Sequence, residues 1–256
     1  MGKVMRNERE IQSIHLEICA SSLESALIAN KAEASRVELC QDLELGGTTP
    51  SYGLIKSVLK ETSLGVHVLV RPRSGDFVYS ESEIRVIEED IVMCRELGCS
   101  GVVLGALNPD GRINTLLMRR WIELASPMQV VFHRAFDRAN NPLEALETII
   151  ELGCDRILTS GQQENAWLGK ELLRTMVQQA GDRIEIMPGA GVNSENIREL
   201  LEYTGAKSIH ASAKKLQDSN MTFHNPAFSA MNESVPVSSE LEIERLVQEI
   251  LKVRVL

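Results

Sequence analysis

Short runs of β-branched and apolar residues alternate with longer stretches of helical period along nearly the whole chain. Eight such runs stand out: His15 to Cys19, Arg36 to Cys40, Val66 to Arg71, Gly101 to Leu107, Val130 to His133, Arg156 to Thr159, Ile184 to Met187 and Ser208 to Ser212. Between them, Glu81 to Glu96 and Pro142 to Leu152 carry apolar residues at helical spacing, and Ser239 to Leu251 has the pattern of a final helix. Ser80 precedes Glu83 at the spacing of a capping box, while Gly98 and Gly153 follow their periodic stretches as helix stops. Glu-Leu-Gly-Cys occurs at 96–99 and again at 151–154, each time just before a strand, and Tyr203-Thr-Gly-Ala repeats that punctuation before the last one.

A β-α unit repeated eight times predicts parallel strands covered by helices. The expected fold class is α/β, a single (β/α)8 TIM barrel, with an open doubly wound sheet as the other arrangement of the same pattern. No Ser/Gly-rich linker divides the chain, so residues 1–256 are read as one domain with a short N-terminal tail at 1–13. Gln217 to Ser238 is polar and irregular, contains Pro226 and Pro236, and is too long for an ordinary loop. It is expected to wrap the barrel or to reach a subunit partner.

Composition narrows the partners. With 43% hydrophobic and 25% charged residues in 256, the chain can bury a large core without a disulfide or metal staple. Acidic residues outnumber basic ones 36 to 27, so no broad positive field exists to neutralise a phosphate backbone, and nucleic acid is not an expected partner. No apolar run reaches the ~18 residues of a membrane span. The first residues are charged, unlike a secretory signal, and Arg6 stands where a myristoylation site after Met1-Gly2 needs Ser or Thr. A cytoplasmic protein without membrane contact is expected. Five cysteines are an odd number and argue for reduced thiols. No C-x-x-C pair and no H-E-x-x-H is present.

In a barrel the chemistry gathers at the C-terminal ends of the strands. Alternation along each strand puts Glu17 with Cys19 on one face, Glu38 with Cys40 on one face, and Arg71 in line with Arg73. Charged groups inside must be paired or solvated, so Glu17, Glu38, Arg71, His133 and His210 are read as one network. That network is either a satisfied polar plug or a pocket with acid, base and anion-holding groups, for which Glu17, Arg71, His133, Asp137 and His210 are the catalytic candidates. Cys19 and Cys40, on neighbouring strand ends, could place two soft sulfurs on one Cu(I) ion. Small buried hydrophobes or a cross-strand disulfide are the other readings of that pair. Cys94, Cys99 and Cys154 lie on or after helices and are read as packing. Gly189, Gly191 and Ser212, in the loops after the last two strands, are anion-binding candidates, and the glycine-rich loop Gly46 to Ser51 is a weaker one.

The motifs Leu16-Glu-Ile-Cys19, Arg36-Val-Glu-Leu-Cys40, Gly46-Gly-Thr-Thr-Pro-Ser51, Arg71-Pro-Arg-Ser-Gly-Asp-Phe77, Phe132-His-Arg-Ala-Phe-Asp137, Leu158-Thr-Ser-Gly161 and His210-Ala-Ser-Ala213, in this order, resemble the CutC copper homeostasis family from about His15 to Asn225. The resemblance implies a cytoplasmic barrel, homodimeric or homotetrameric, linked to copper tolerance and Cu(I) binding, with copper carried by Cys19 and Cys40. The chain departs from the family pattern at Glu33, Ser35 and Ser74, none of which is a proposed ligand. Two functions are therefore expected to compete. One is Cu(I) binding through the two cysteines. The other is a barrel enzyme, a lyase, isomerase or hydrolase, acting on a small sugar-like or phosphorylated substrate.

Overall fold

The fold is seen in a computed structural model, which describes residues 10–11, 13–223, 225–227 and 234–254. Of the expected N-terminal tail, residues 1–9 and 12 lie outside the described residues. Eight strands, β1 (His15–Ala20), β2 (Arg36–Leu39), β3 (Gly65–Leu69), β4 (Gly101–Leu104), β5 (Gln129–Phe132), β6 (Arg156–Thr159), β7 (Glu185–Pro188) and β8 (Ser208–Ala211), form one sheet in the order β7-β6-β5-β4-β3-β2-β1-β8. Every pairing is parallel. Strand β7 lies against β8, so the sheet curls into a nearly closed barrel. Outside it run α1 (Leu23–Lys31), α2 (Tyr52–Glu61), α3 (Glu81–Leu97), α4 (Thr115–Ala125), α5 (Pro142–Leu152), α6 (Lys170–Ala180), α7 (Ile197–Thr204) and α8 (Glu240–Ile250).

The helix ends follow local chemistry. Ser22, Ser51, Ser80, Asn114, Asn141 and Ser239 each accept an N–H three residues on, which satisfies a donor the first turn would leave open. The Ser80–Glu83 capping box is complete, and Gly98, Gly153 and Gly205 end their helices in the left-handed region. Two strands are shorter than their sequence runs. The Arg71 N–H leaves the ladder to reach Thr49 Oγ1 at 2.9 Å, so β3 stops at Leu69. Leu107 pairs instead with Ile113 in an isolated bridge, so β4 stops at Leu104.

The segment expected to be irregular is bounded by strands at both ends. Strand β9 (Lys214–Gln217) pairs antiparallel with β10 (Val235–Ser238). Pro236 is tolerated there because a two-stranded ribbon has only edge strands. Ser238 N–H donates to Ser25 Oγ at 3.0 Å and Ser239 N–H to Ala213 O at 2.7 Å, which ties the returning chain to α1 and to the exit of β8 before α8 begins.

Alternation divides the buried strand residues into two apolar sets. Leu16, Ile18, Val37, Leu39, Val66 and Val68, with their counterparts on the other strands, face helix residues such as Ile55, Ile91, Trp121, Ile149 and Leu246. The inward set is smaller: Cys19, Cys40, Leu69, Val103, Val131, Leu158 and Met187. Toward the N-terminal ends of the strands the interior turns polar. There Arg36 Nε donates to Glu17 Oε2 at 2.8 Å, Arg36 also donates to Ser208 Oγ, and Arg156 bonds Glu185 and the Gln129 amide. The barrel is thus closed below by paired charges and keeps its thiols and the Glu38 carboxyl above.

Candidate functional site

Strands β1 and β2 are in register with Glu17 beside Arg36 and Cys19 beside Glu38. Cys40 follows β2 directly, two residues beyond Glu38 and on the same inward face. All five cysteines are free. Cys19 Sγ stands 3.2 Å from Cys40 Sγ and donates to Glu38 Oε2 at 3.4 Å. Among the described residues this trio is the one group of three potential metal ligands, its donor atoms all within 4.8 Å of one another. The hydrogen bond with Cys40, burial and the nearby Glu38 charge hold the Cys19 thiol well above its ordinary range. The Cys19 thiol therefore keeps its proton until a cation displaces it.

Beneath the trio lies a carboxylate-imidazole relay. His210 Nδ1 is 2.8 Å from Glu17 Oε1, and His210 Nε2 is 3.7 Å from Glu38 Oε2. Burial alone would raise the Glu17 carboxyl, but hydrogen bonds from His210 and His67 and the charge of Arg36 outweigh it and hold Glu17 ionised. Burial likewise opposes charging His210, yet its contacts with Cys19 and Glu17 and the carboxylate charges keep its pKa well above the usual value. Glu38 is the opposite case: burial raises it and the His210 charge only partly offsets this. One carboxylate is fixed as an anion below the thiols and the other is poised to take or give a proton beside them.

Arg71 and His133 do not join this relay. They stand together across a cavity of about 210 Å³ whose floor is Cys19, Cys40, Glu38 and His210. Arg71 Nη1 donates to Leu45 O and Gly47 O at 3.2 and 2.9 Å, and Nη2 to Gly75 O at 3.0 Å, with Phe77 stacked 5.0 Å from the guanidinium carbon. His133 packs on Phe77 at 4.9 Å, and its Nδ1 accepts the Ala135 N–H at 3.2 Å. Glycine on β4 and just after it makes the space. A Cβ at Gly101 would lie 2.8 Å from the His67 ring, and one at Gly105 would lie 2.7 Å from His133 Nδ1. The single network read from sequence is therefore two clusters facing each other.

Three further candidates have other uses. Asp137 accepts from Thr159 Oγ1, from the Ser160 and Gln162 N–H groups and from Arg134 Nε, so it builds the loop after β6 and has no free lone pair for a substrate. In the Gly46–Ser51 loop the N–H groups of Gly46, Gly47, Thr48, Thr49 and Ser51 are all bonded within the protein. That loop offers carbonyls to Arg71 rather than amides to an anion. Gly189 N–H is taken by Thr159 O, and a Cβ there would strike Leu158 at 2.5 Å, which makes Gly189 a packing position. Gly191 and Ser212 do line the cavity, as do Ala190 and Lys214. Cys94, Cys99 and Cys154 are buried in the outer apolar set, away from the cavity. Sequence reasoning missed Arg36 and His67, although alternation back from Glu38 and Leu69 puts both on the inward face.

The CutC family model matches residues 14–215, a span that contains every strand of the barrel and both clusters. The chain belongs to the CutC family. A CutC protein of Histophilus somni is 48% identical over 206 residues, covering 80% of this chain and 85% of that one. The human copper homeostasis protein cutC homolog is 42% identical over 241 residues, covering 94% and 87%. A crystal structure of CutC from Streptococcus agalactiae superposes with a TM-score of 0.74 at 38% identity, covering 78% of this chain and 98% of that one. Thiamine phosphate pyrophosphorylase of Pyrococcus furiosus, at 16% identity and a TM-score of 0.60, shares the fold alone. No helix among the described residues of this family member is long and apolar enough to cross a membrane.

Proposed function

We propose that this chain binds Cu(I) through Cys19 and Cys40, as a cytoplasmic copper homeostasis protein that assembles as a homodimer or homotetramer. One observation carries the reading: two buried, reduced thiols meet at 3.2 Å on adjacent parallel strands, at the floor of an open cavity. Paired thiolates are soft ligands that suit Cu(I) and suit hard cations poorly. Glu38, 3.4 Å from Cys19 Sγ, can receive a thiol proton as metal arrives. The names of the human and mouse relatives support copper as the cargo.

The test is anaerobic Cu(I) titration of the whole protein against a competing chromophoric chelator. One Cu(I) per chain is expected, with proton release on uptake. Cys19→Ser/Cys40→Ser should lose that competition, and Cys94→Ser should not. An unchanged Cu(I) affinity in the double variant would overturn the reading.

A further inference from the structure

The cavity above the thiols has more hydrogen-bond donors than the protein satisfies. His133 is 4% exposed. Because its Nδ1 accepts the Ala135 N–H, the neutral ring carries its proton on Nε2, and that buried atom has no hydrogen-bond partner. Arg71 is 5% exposed, with both Nη atoms tied to loop carbonyls and the Tyr79 hydroxyl interacting with its guanidinium. A buried donor without an acceptor costs on the order of 1–3 kcal/mol, so the His133 Nε2–H, held in the cavity wall by the Nδ1 contact, requires an explanation.

The facing wall adds open backbone donors on a segment where Ala190 is half-buried and Gly191 exposed. Ala190 and Gly191 have φ of 75° and 71°, and the N–H groups of Ala190, Gly191 and Val192 find no acceptor among the described residues. All three residues line the same cavity, with Lys214 at its edge. Consecutive amides of this kind form an anion-holding concavity. Non-glycine residues with positive φ persist only where the surroundings enforce them, and Ala190 is held there by its carbonyl, which accepts the Ala166 N–H at 3.0 Å.

The open groups named on these two walls are donors, and the lining carries the cations Arg71, Arg134 and Lys214 against one carboxyl, Glu38. The matching ligand is rich in acceptors and anionic. Three consecutive amides and an ammonium outnumber the two oxygens of a carboxylate and match the terminal oxygens of a phosphate. A volume of about 210 Å³ is below the roughly 300–1,000 Å³ of drug-sized pockets, which restricts the ligand to a compact molecule. We infer that this cavity binds a small phosphate monoester, its phosphate on the Ala190–Val192 amides and Lys214, and its acceptor-bearing body against His133 Nε2 beside Arg71. This site is independent of copper, although the Cys19–Cys40 pair forms part of its floor.

Glycerol 3-phosphate, inorganic phosphate and glycerol, titrated separately into the whole protein, test the inference by calorimetry and by amide resonances. Glycerol 3-phosphate should bind, move the 190–192 amide signals, and bind at least tenfold more tightly than inorganic phosphate, while glycerol does not bind. Lys214→Ala, an exposed change that leaves the fold intact, and His133→Phe should each weaken glycerol 3-phosphate at least tenfold. Unmoved amides at millimolar glycerol 3-phosphate would overturn the inference, as would undiminished binding in Lys214→Ala or equal affinity for inorganic phosphate. Cys19→Ser/Cys40→Ser should keep glycerol 3-phosphate binding, so failure of the copper reading and failure of this one are told apart.

Discussion

Arg36→Met tests whether the charged layer holds the barrel together. Arg36 and Glu17 are both fully buried, their side chains joined at 2.8 Å, and Arg36 also reaches Ser208 and, at 3.2 Å, the Met187 sulfur. Methionine preserves much of the stem but removes the guanidinium and leaves the Glu17 carboxylate with imidazole partners only. Removing one member of a buried pair costs about 3–5 kcal/mol, because the remaining charge stays desolvated. At about 2–4 °C per kcal/mol for a chain of this size class, the midpoint should fall by about 6–20 °C. Urea unfolding followed by circular dichroism measures the free energy directly, provided the slope is unchanged. The deficit should survive added salt, since buried pairs are poorly screened. Glu17→Gln in the same background should recover part of it, because the stranded charge is then gone. A loss below about 1 kcal/mol, or a double variant less stable than Arg36→Met by the full cost of Glu17→Gln alone, would refute the idea that the two groups depend on each other.

Three other outcomes are expected. Burial, with the Arg71 charge second, pushes the His133 imidazole down to about 3 from 6.5. A group whose folded pKa is depressed gives stability above the unfolded value, so this imidazole should contribute a loss of about 1.4 kcal/mol per pH unit between about 6.5 and 3. His133→Phe should flatten that slope in urea titrations run from pH 7 to 4, and an identical slope would contradict it. Gly105→Ala places a methyl 2.7 Å from His133 Nδ1 and should cost about 1–3 kcal/mol in chemical denaturation, whereas a neutral effect would show that the imidazole moves freely. Light scattering after size exclusion should give two or four times the 28.4 kDa of one chain, and a monomer across micromolar concentrations would remove the oligomer from the proposal.

Much of this architecture was readable because it is local. The helix boundaries follow from residues such as Ser80, Glu83, Gly98 and Gly153, whose roles depend on neighbours three or four positions away. The inward direction of Cys19 and Glu38 follows from strand alternation alone. What alternation does not give is height. Arg71 and His133 stand beyond their strand ends and face the cavity, whereas Glu17 and Arg36 lie deeper, and only the assembled barrel separates those levels. Nor does a glycine-rich sequence reveal which backbone group it presents. Both the Gly46–Ser51 loop and the Gly189-Ala-Gly191 turn place two glycines after a strand, yet the first has its amides occupied and Ala190–Val192 leaves them open. The β9–β10 ribbon was illegible for a related reason, since its two halves are separated by a long polar stretch and pair by contacts no short window contains.

The thiols at the cavity floor impose a route. With a paired-charge layer below and strands on every side, an ion reaching Cys19 or Cys40 has to descend between Arg71 and the Ala190–Val192 segment. Anything seated in that passage would lengthen the residence time of a captured ion without touching its ligands. The exchange rate would then be set by the occupant and the equilibrium constant by the sulfurs.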